Sequence, residues 1–437
     1  MINLKIHILF IILVGSIILG IIAVKFVKRI WSRIMLIGIL IGLLLYSGIG
    51  AAYPEVTAIY LIYYFCFFLS IVLFFPFFNI IFSSTSRISG RALKPLFERI
   101  DRQFGWSILI WIYFFLHILP LVYPDFRLYQ LISPPTPDLP YALAMRFYPQ
   151  ETNYLLKIAS YIQILLTPIF YVALYRYRNR IVPVIMILFG LIYIQYVDKG
   201  TIGRSPVFMA MLLIFIAIWM NHPRYRKHVV VVGIALLPVF LVASYMYSII
   251  RIGGQVHDIS LADATLNIIN SETSFPKNVG MAIIESGEKV DFVSYMKWIL
   301  TLPIPKVLTG EIEGARINYE ISDIIFATSR GERGWHVVLP GLISESVYIY
   351  GHYFFFFHGI FIAFIAAFII CLIERTPQLL FLKAYVIVLF AYVLNRGGIA
   401  ALLPTIINQF LLFYLIIFVV VFKPYHHRRV KTKITEL

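Results

Sequence analysis

Charge is what this sequence has least of. Asp, Glu, Lys and Arg make up 13% of its 437 residues, and 61% are hydrophobic. A soluble domain carries about 25% charge, which covers its surface; a chain this apolar needs lipid as its solvent. Cysteine is almost absent as well. Cys66 and Cys371 both fall inside apolar runs, which excludes a disulfide framework and reads them as packing residues. No Gly-Lys-Ser/Thr phosphate loop occurs. There is no His-x-x-x-His and no Asp-x-Asp, so no metal set is expected. The first apolar run has no small-residue exit and leads straight into further runs, so no cleavable signal is expected.

What is present is a series of apolar runs, each near the roughly 20 residues that span a bilayer. They lie at 6–24, 34–52, 57–82, 106–123, 153–175, 181–197, 207–221, 229–247, 341–372, 379–394 and 399–422. The expected fold is therefore an all-α polytopic membrane protein with about eleven spans, one membrane domain over residues 1–437. The run 341–372 is long enough to tilt.

The net charge of +16 is a topology signal before it is anything else. With the N-terminus outside, the inside segments are 25–33, 83–105, 176–180, 221–228, 373–384 and 423–437. They are short and basic, as the positive-inside rule requires. Only Glu98, Asp101, Glu374 and Glu436 of the 21 acids fall inside. No nucleic-acid partner is expected, and the small inside segments leave no cytoplasmic domain to hydrolyse a nucleotide.

Two outer loops stand out, 124–152 and the much longer 248–340; long loops tend to be functional. The second contains an amphipathic stretch, Val293 to Leu308, that reads as a helix on the membrane surface. It also holds Glu311 and Glu313, a pair that suits either a divalent cation or plain solvation.

Candidate residues cluster at the outer ends of the spans. Arg204 precedes the seventh span, Arg251 follows the eighth, and Arg330 and Arg333 precede the ninth, several beside glycine. Arginine binds phosphate bidentately, and glycine lets backbone approach a ligand. The four can converge on one phosphate-bearing headgroup, or each can snorkel to ordinary lipid. In the ninth span, Gly341, Glu345, Tyr348, His352 and Gly359 share one helical stripe. An ionisable residue there is a functional candidate by default. Glu345, or His336 in the preceding loop, suits a general base; alternatively Glu345 makes a structural ion pair with Arg396 at the tenth-to-eleventh turn. His352 reads as a packing residue. Glu272, before Phe275-Pro276, is a further loop acid.

The order of these features resembles the bacterial oligosaccharide repeat-unit polymerases, the Wzy-type O-antigen and capsule polymerase family. The resemblance is carried by Gly203-Arg204-Ser205, Tyr247-Ser248-Ile249-Ile250-Arg251-Ile252-Gly253-Gly254, Leu302-Pro303-Ile304-Pro305-Lys306, and Gly341-Leu342-Ile343-Ser344-Glu345-Ser346 running into Tyr350-Gly351. It covers roughly residues 180–372. Arg330 and Gly341 also match an Arg-x10-Gly spacing found in some members, whereas neither Arg127 nor Arg146 has Gly at that spacing. His336 is placed like the histidine of the related ligases, with different neighbours.

The resemblance implies a fold similar to the metal-independent branch of the lipid-sugar-dependent (GT-C-type) glycosyltransferases. It implies an enzyme of the bacterial cytoplasmic (inner) membrane whose site faces the periplasm or cell exterior. Its substrates would be oligosaccharides linked to undecaprenyl pyrophosphate, and a chain-length regulator is an implied partner. Glycan would pass from lipid pyrophosphate to a sugar hydroxyl of an incoming repeat, with no metal or other cofactor. Arg204, Arg251, Arg330 and Arg333 would hold the pyrophosphate, and Glu345 or His336 would take the proton. Two other readings are open: a ligase that moves finished glycan, and a flippase for the lipid-linked oligosaccharide.

Overall fold

The structure, a computed structural model, describes residues 5–100, 102–134, 153–200, 204–251, 260–304, 317–327 and 337–422. Every regular element among them is helical. In chain order these are α1 (Ile6–Phe26), α2 (Ile30–Leu43), α3 (Ala58–Ile81), α4 (Ser83–Phe97), α5 (Gly105–Val122), α6 (Tyr154–Leu174), α7 (Ile181–Lys199), α8 (Arg204–Asn221) and α9 (Arg226–Arg251). Then come α10 (Leu261–Thr273), α11 (Met281–Ser286), α12 (Phe292–Thr301), α13 (Ile317–Phe326), α14 (Leu342–Phe354), α15 (Phe356–Ile373), α16 (Leu380–Val388), α17 (Leu394–Pro404) and α18 (Leu411–Phe422).

Eight of the described helical stretches are long and apolar enough to cross a bilayer: Ile6–Phe26, Ile30–Ala52, Ala58–Ile81, Gly105–Val122, Tyr154–Tyr177, Ile181–Lys199, Phe356–Ile373 and Pro377–Gln409. The chain is thus a multi-pass membrane protein. The expectation of eleven separate spans is met only in part, and each difference has a local cause. The seventh and eighth expected spans meet at 117° across His222 and count together as at most one more. The ninth is not one tilted helix. Gly351, with φ 74° and ψ 178°, interrupts it, a backbone region essentially reserved for glycine.

The tenth and eleventh runs join in one helical stretch that doubles back. The Tyr385 hydroxyl donates to Gln409 Oε1 at 2.6 Å across 24 residues. A straight helix would hold them about 36 Å apart. The reversal sits at Gly398, with φ 69° and ψ −167°, so the Gly397–Gly398 pair does the work of a loop.

The centre of the bundle is the α3–α15 pair, which packs along its length. Gly359 makes this approach feasible, because Ser70 Oγ occupies the place its Cβ would take. One end of the bundle carries a buried polar knot. Glu374 accepts from the Ser32 N–H at 3.1 Å and the Ser32 hydroxyl at 2.9 Å, and pairs with Arg29 at 3.4 Å. Asn79 donates to Ser32 Oγ and to Cys371 Sγ. Here Cys371 is a packing residue as expected, whereas Cys66 is exposed on the bundle surface. Amphipathic α4 closes this end by burying Ser86, Ser89, Gly90, Leu93 and Phe97 at helical spacing. A cavity of about 380 Å³ opens between α1 and α2, lined by Ser16, Gly20, Val24 and Leu40 among others.

The region read as a long outer loop, 248–340, is largely helical where it is described. It holds α10, α11, α12 and α13. The stretch Val293 to Leu308, expected to form one helix, is helical over Phe292–Thr301 (α12), capped by Asp291, whose carboxylate accepts the Ser294 N–H at 2.9 Å. This helix exposes Phe292, Val293 and Leu300 and buries Tyr295.

Candidate functional site

The end of the bundle opposite the Arg29–Glu374 knot is built where α10 docks on the turn between α2 and α3. Ser260 caps the start of α10: its Oγ accepts the Asp263 N–H at 3.1 Å and donates to Asp263 Oδ2 at 2.6 Å. Its last turn is clamped by the Tyr53 hydroxyl, 2.7 Å from Asn270 Oδ1 and 3.1 Å from Thr273 Oγ1. Gly50 permits that contact, since a Cβ there would strike the Thr273 carbonyl. Just beyond, Lys277 pairs with Glu55 at 2.6 Å. This hydrogen bond, the larger influence, holds the Glu55 carboxyl below its ordinary value of 4.5.

Docking α10 in this way carries Glu272 to the first turn of α17, just before the reversal at Gly398. There Arg396 Nε lies 3.4 Å from Glu272 Oε2, with both side chains about a quarter or less exposed. Arg396 Nη1 also donates to the Tyr392 hydroxyl at 2.7 Å. Tyr46 flanks Tyr392 at 6.2 Å between ring centroids and Phe275 at 6.4 Å. The result is a half-buried cation, its carboxylate and a tyrosine wall, assembled from the helical turn Leu44–Gly48 that follows α2, the end of α10 and residues 392–396 at the start of α17. An arginine fork held from one side in this way presents its remaining N–H groups in a fixed direction to an anion.

Glu345, which the sequence reads as a general base or as one half of a structural ion pair, is fully buried. Its Oε2 accepts the Ile399 N–H and its Oε1 the Ala400 N–H, the latter at 2.7 Å. The carboxylate thus caps the helix that returns after Gly398, where the N-terminal dipole favours a negative charge. The alternative of an ion pair with Arg396 named the right turn and the wrong atoms: backbone amides take Glu345, and Arg396 turns to Glu272. His358, which the sequence reading passed over, lies 3.4 Å from Glu345 Oε2, also fully buried, with neither ring nitrogen hydrogen-bonded. The pair meets only because the chain bends at Gly351; thirteen residues of straight helix span about 20 Å.

The expected single stripe through 341–359 is therefore split. Tyr348 donates to Glu320 Oε2 of α13 at 2.9 Å. His352 Nδ1 lies 2.7 Å from the Tyr63 hydroxyl of α3, the contact of a packing residue. Gly359 meets Ser70.

Arg204 opens α8 and Arg251 closes α9; their side chains lie outside the described residues. Arg330, Arg333, His336, Glu311 and Glu313 also lie outside them. No cluster of three or more metal-ligating side chains occurs among the described residues. Of the sequence candidates, the fold thus joins Glu272 to Arg396 and puts Glu345 behind them at the same chain reversal. A second polar group lies apart between α5, α6 and α7, where His117 Nε2 meets the Gln163 and Gln195 side-chain amides. Its partners are neutral, and it ties the three helices together. No protein-family model matches the chain, and neither curated sequences nor solved structures give a match.

Proposed function

We propose that this protein polymerises lipid-linked oligosaccharide repeat units at the outer face of a bacterial cytoplasmic membrane, without a metal cofactor. The observation that carries the reading is the Arg396–Glu272 cluster with its tyrosine wall, at the end of the bundle away from the Arg29–Glu374 knot. In the reaction, a sugar hydroxyl of the incoming repeat attacks the anomeric carbon of the donor. The bond from that carbon to the pyrophosphate oxygen breaks, and lipid pyrophosphate leaves with the electron pair. Prepositioned cations stabilise the charge that builds on it. Arg396 supplies one, and Arg204, Arg251, Arg330 and Arg333 belong to the same outer region of the sequence. The hydroxyl proton passes to a carboxylate at the site; Glu272 is the described acid beside Arg396, and His336 is the alternative acceptor. Tyr46, Tyr392 and Phe275 offer the aromatic faces on which a sugar ring packs.

One observation favours a second reading, a flippase for the same glycolipid. Transporters place ionisable groups at interrupted helices, and here the breaks at Gly351 and Gly398 bracket the buried Glu345–His358 pair. Glycolipid profiles from cells lacking the protein separate the readings. Single repeats on the outer face with no polymer support the polymerase. Single repeats retained on the cytoplasmic face establish the flippase, and full-length polymer left on its carrier establishes a ligase.

A further inference from the structure

The buried carboxylate of Glu345 holds the backbone amides three and four residues past Arg396, at the point where the backbone reverses. Its two oxygens hold the N–H groups of Ile399 and Ala400. A Cβ on Gly398 would collide with the carboxylate itself, so the reversal is moulded around Glu345. Arg396 lies just upstream of the same glycines, and its guanidinium direction follows from how the chain enters the break. On the upstream side Asn395, fully buried, donates to the Phe390 and Ala391 carbonyls and, at 3.4 Å, to Ile39 of α2, so the turn that carries Arg396 is held at its entry by Asn395 and at its exit by Glu345.

The helix that delivers Glu345 is itself set between two glycines in the left-handed half of φ. These are Gly341 at 69° and Gly351 at 74°. Lys289 fills the space beside Gly351, and the Val290 N–H donates to the Tyr348 carbonyl at 3.1 Å. The first half of α14 is thus a short rod with a glycine joint at each end; Leu342, Ile343 and Val347 pack it into the core, Tyr348 ties it to Glu320, and the Glu345 carboxylate is its tie to the chain reversal. His358 lies 3.4 Å from that carboxylate and makes no hydrogen bond that could replace it.

From this geometry we infer that Glu345 is a positioning residue. Through the Gly397–Gly398 break it sets the direction of Arg396 toward the outer cluster, and it does not itself touch substrate. The functional half of the inference rests on Arg396 holding the substrate phosphate; the geometric half does not.

Two measurements keep those halves apart. In a background with Cys66→Ser and Cys371→Ala, Glu272→Cys and Arg396→Cys are joined by a short bis-maleimide in membranes. With Glu345 present, crosslinking is expected to be efficient. In Glu345→Ala it is expected to slow at least fivefold, and Glu345→Gln, which keeps the size of the side chain, should fall between. Ser346→Ala, whose hydroxyl bonds only within its own helix to Ile343 O, should leave the rate unchanged. Equal rates in Glu345→Gln and wild type would overturn the inference, including in the case where Glu345→Ala fails to fold.

The second measurement is the polymer ladder from Glu345→Gln, Arg396→Ala and the double variant. If Glu345 acts through Arg396, the double variant is no worse than Arg396→Ala alone. Losses that multiply overturn the positioning role. Crosslinking that depends on Glu345, together with ladders that no variant changes, would leave the geometry standing and refute the polymerase reading.

Discussion

Replacing Glu345 by alanine strips the acceptor from two backbone N–H groups in a slot that water does not reach. A hydrogen bond to a charged group contributes about 1.5–3 kcal/mol net, so the two together contribute roughly 3–6 kcal/mol. The dipole of the returning helix adds up to about 2 kcal/mol for a buried anion at its N-terminus. Desolvation of the carboxylate opposes both by several kcal/mol. The balance is a net loss of about 2–4 kcal/mol. Titrating SDS into mixed micelles of the purified protein measures it. Glu345→Gln should lose about half as much, because its amide oxygen can accept one N–H while its NH2 group faces the other donor. Ser346→Ala serves as the control and should change stability by about 0.5 kcal/mol or less. If Glu345→Gln unfolds with wild-type stability, the side chain is not an ionised acceptor for two amides, and the cap argument fails.

Gly398→Ala should destabilise by more than the roughly 1–3 kcal/mol of backbone strain, because its methyl also meets the Glu345 carboxylate; monodispersity on size exclusion and SDS unfolding both read this. Glu374→Ala, at the opposite end, leaves Arg29 and the Ser32 N–H without their carboxylate and should lower unfolding stability by about 3–5 kcal/mol. Lys277→Ala should loosen the segment after α10, seen as faster hydrogen exchange in residues 276–286. The sign of its pH dependence follows from Glu55, whose folded value is depressed by Lys277. The stabilisation is complete above the unfolded value and is lost as pH falls through the lowered one. Wild type and Lys277→Ala should therefore differ at neutral pH and converge in acid.

The apolar runs made the membrane architecture legible, and the lone carboxylate in an apolar helix marked Glu345. Its partners were not legible, because a backbone amide has no sequence signature; any residue but proline at 399 and 400 would supply one. The break at Gly351 was hidden for a related reason. Glycine within an apolar helix is usually tolerated, and nothing in Tyr350-Gly351-His352 announces a φ of 74°. Gly397-Gly398 inside an apolar stretch was a better signal, and the reversal there explains why runs 379–394 and 399–422 were separable at all. His358 escaped notice because it directly follows an aromatic run, Phe354 to Phe357, inside a long apolar stretch. Glu272 and Arg396 were both singled out, yet their pairing depends on the docking of α10 through Tyr53 and Gly50, a tertiary contact between parts of the chain far apart in sequence.

The central claim is that the outer cluster joins glycan repeats. Its most direct test is reconstitution: purified protein in liposomes, supplied with undecaprenyl-pyrophosphate-linked repeat units and with chelator in place of metal. A ladder of lengthened glycolipids from the wild type, abolished in Arg396→Ala at equal protein incorporation, is the expected result. Single repeats that cross the bilayer without being joined would contradict the account and assign the same helices to transport.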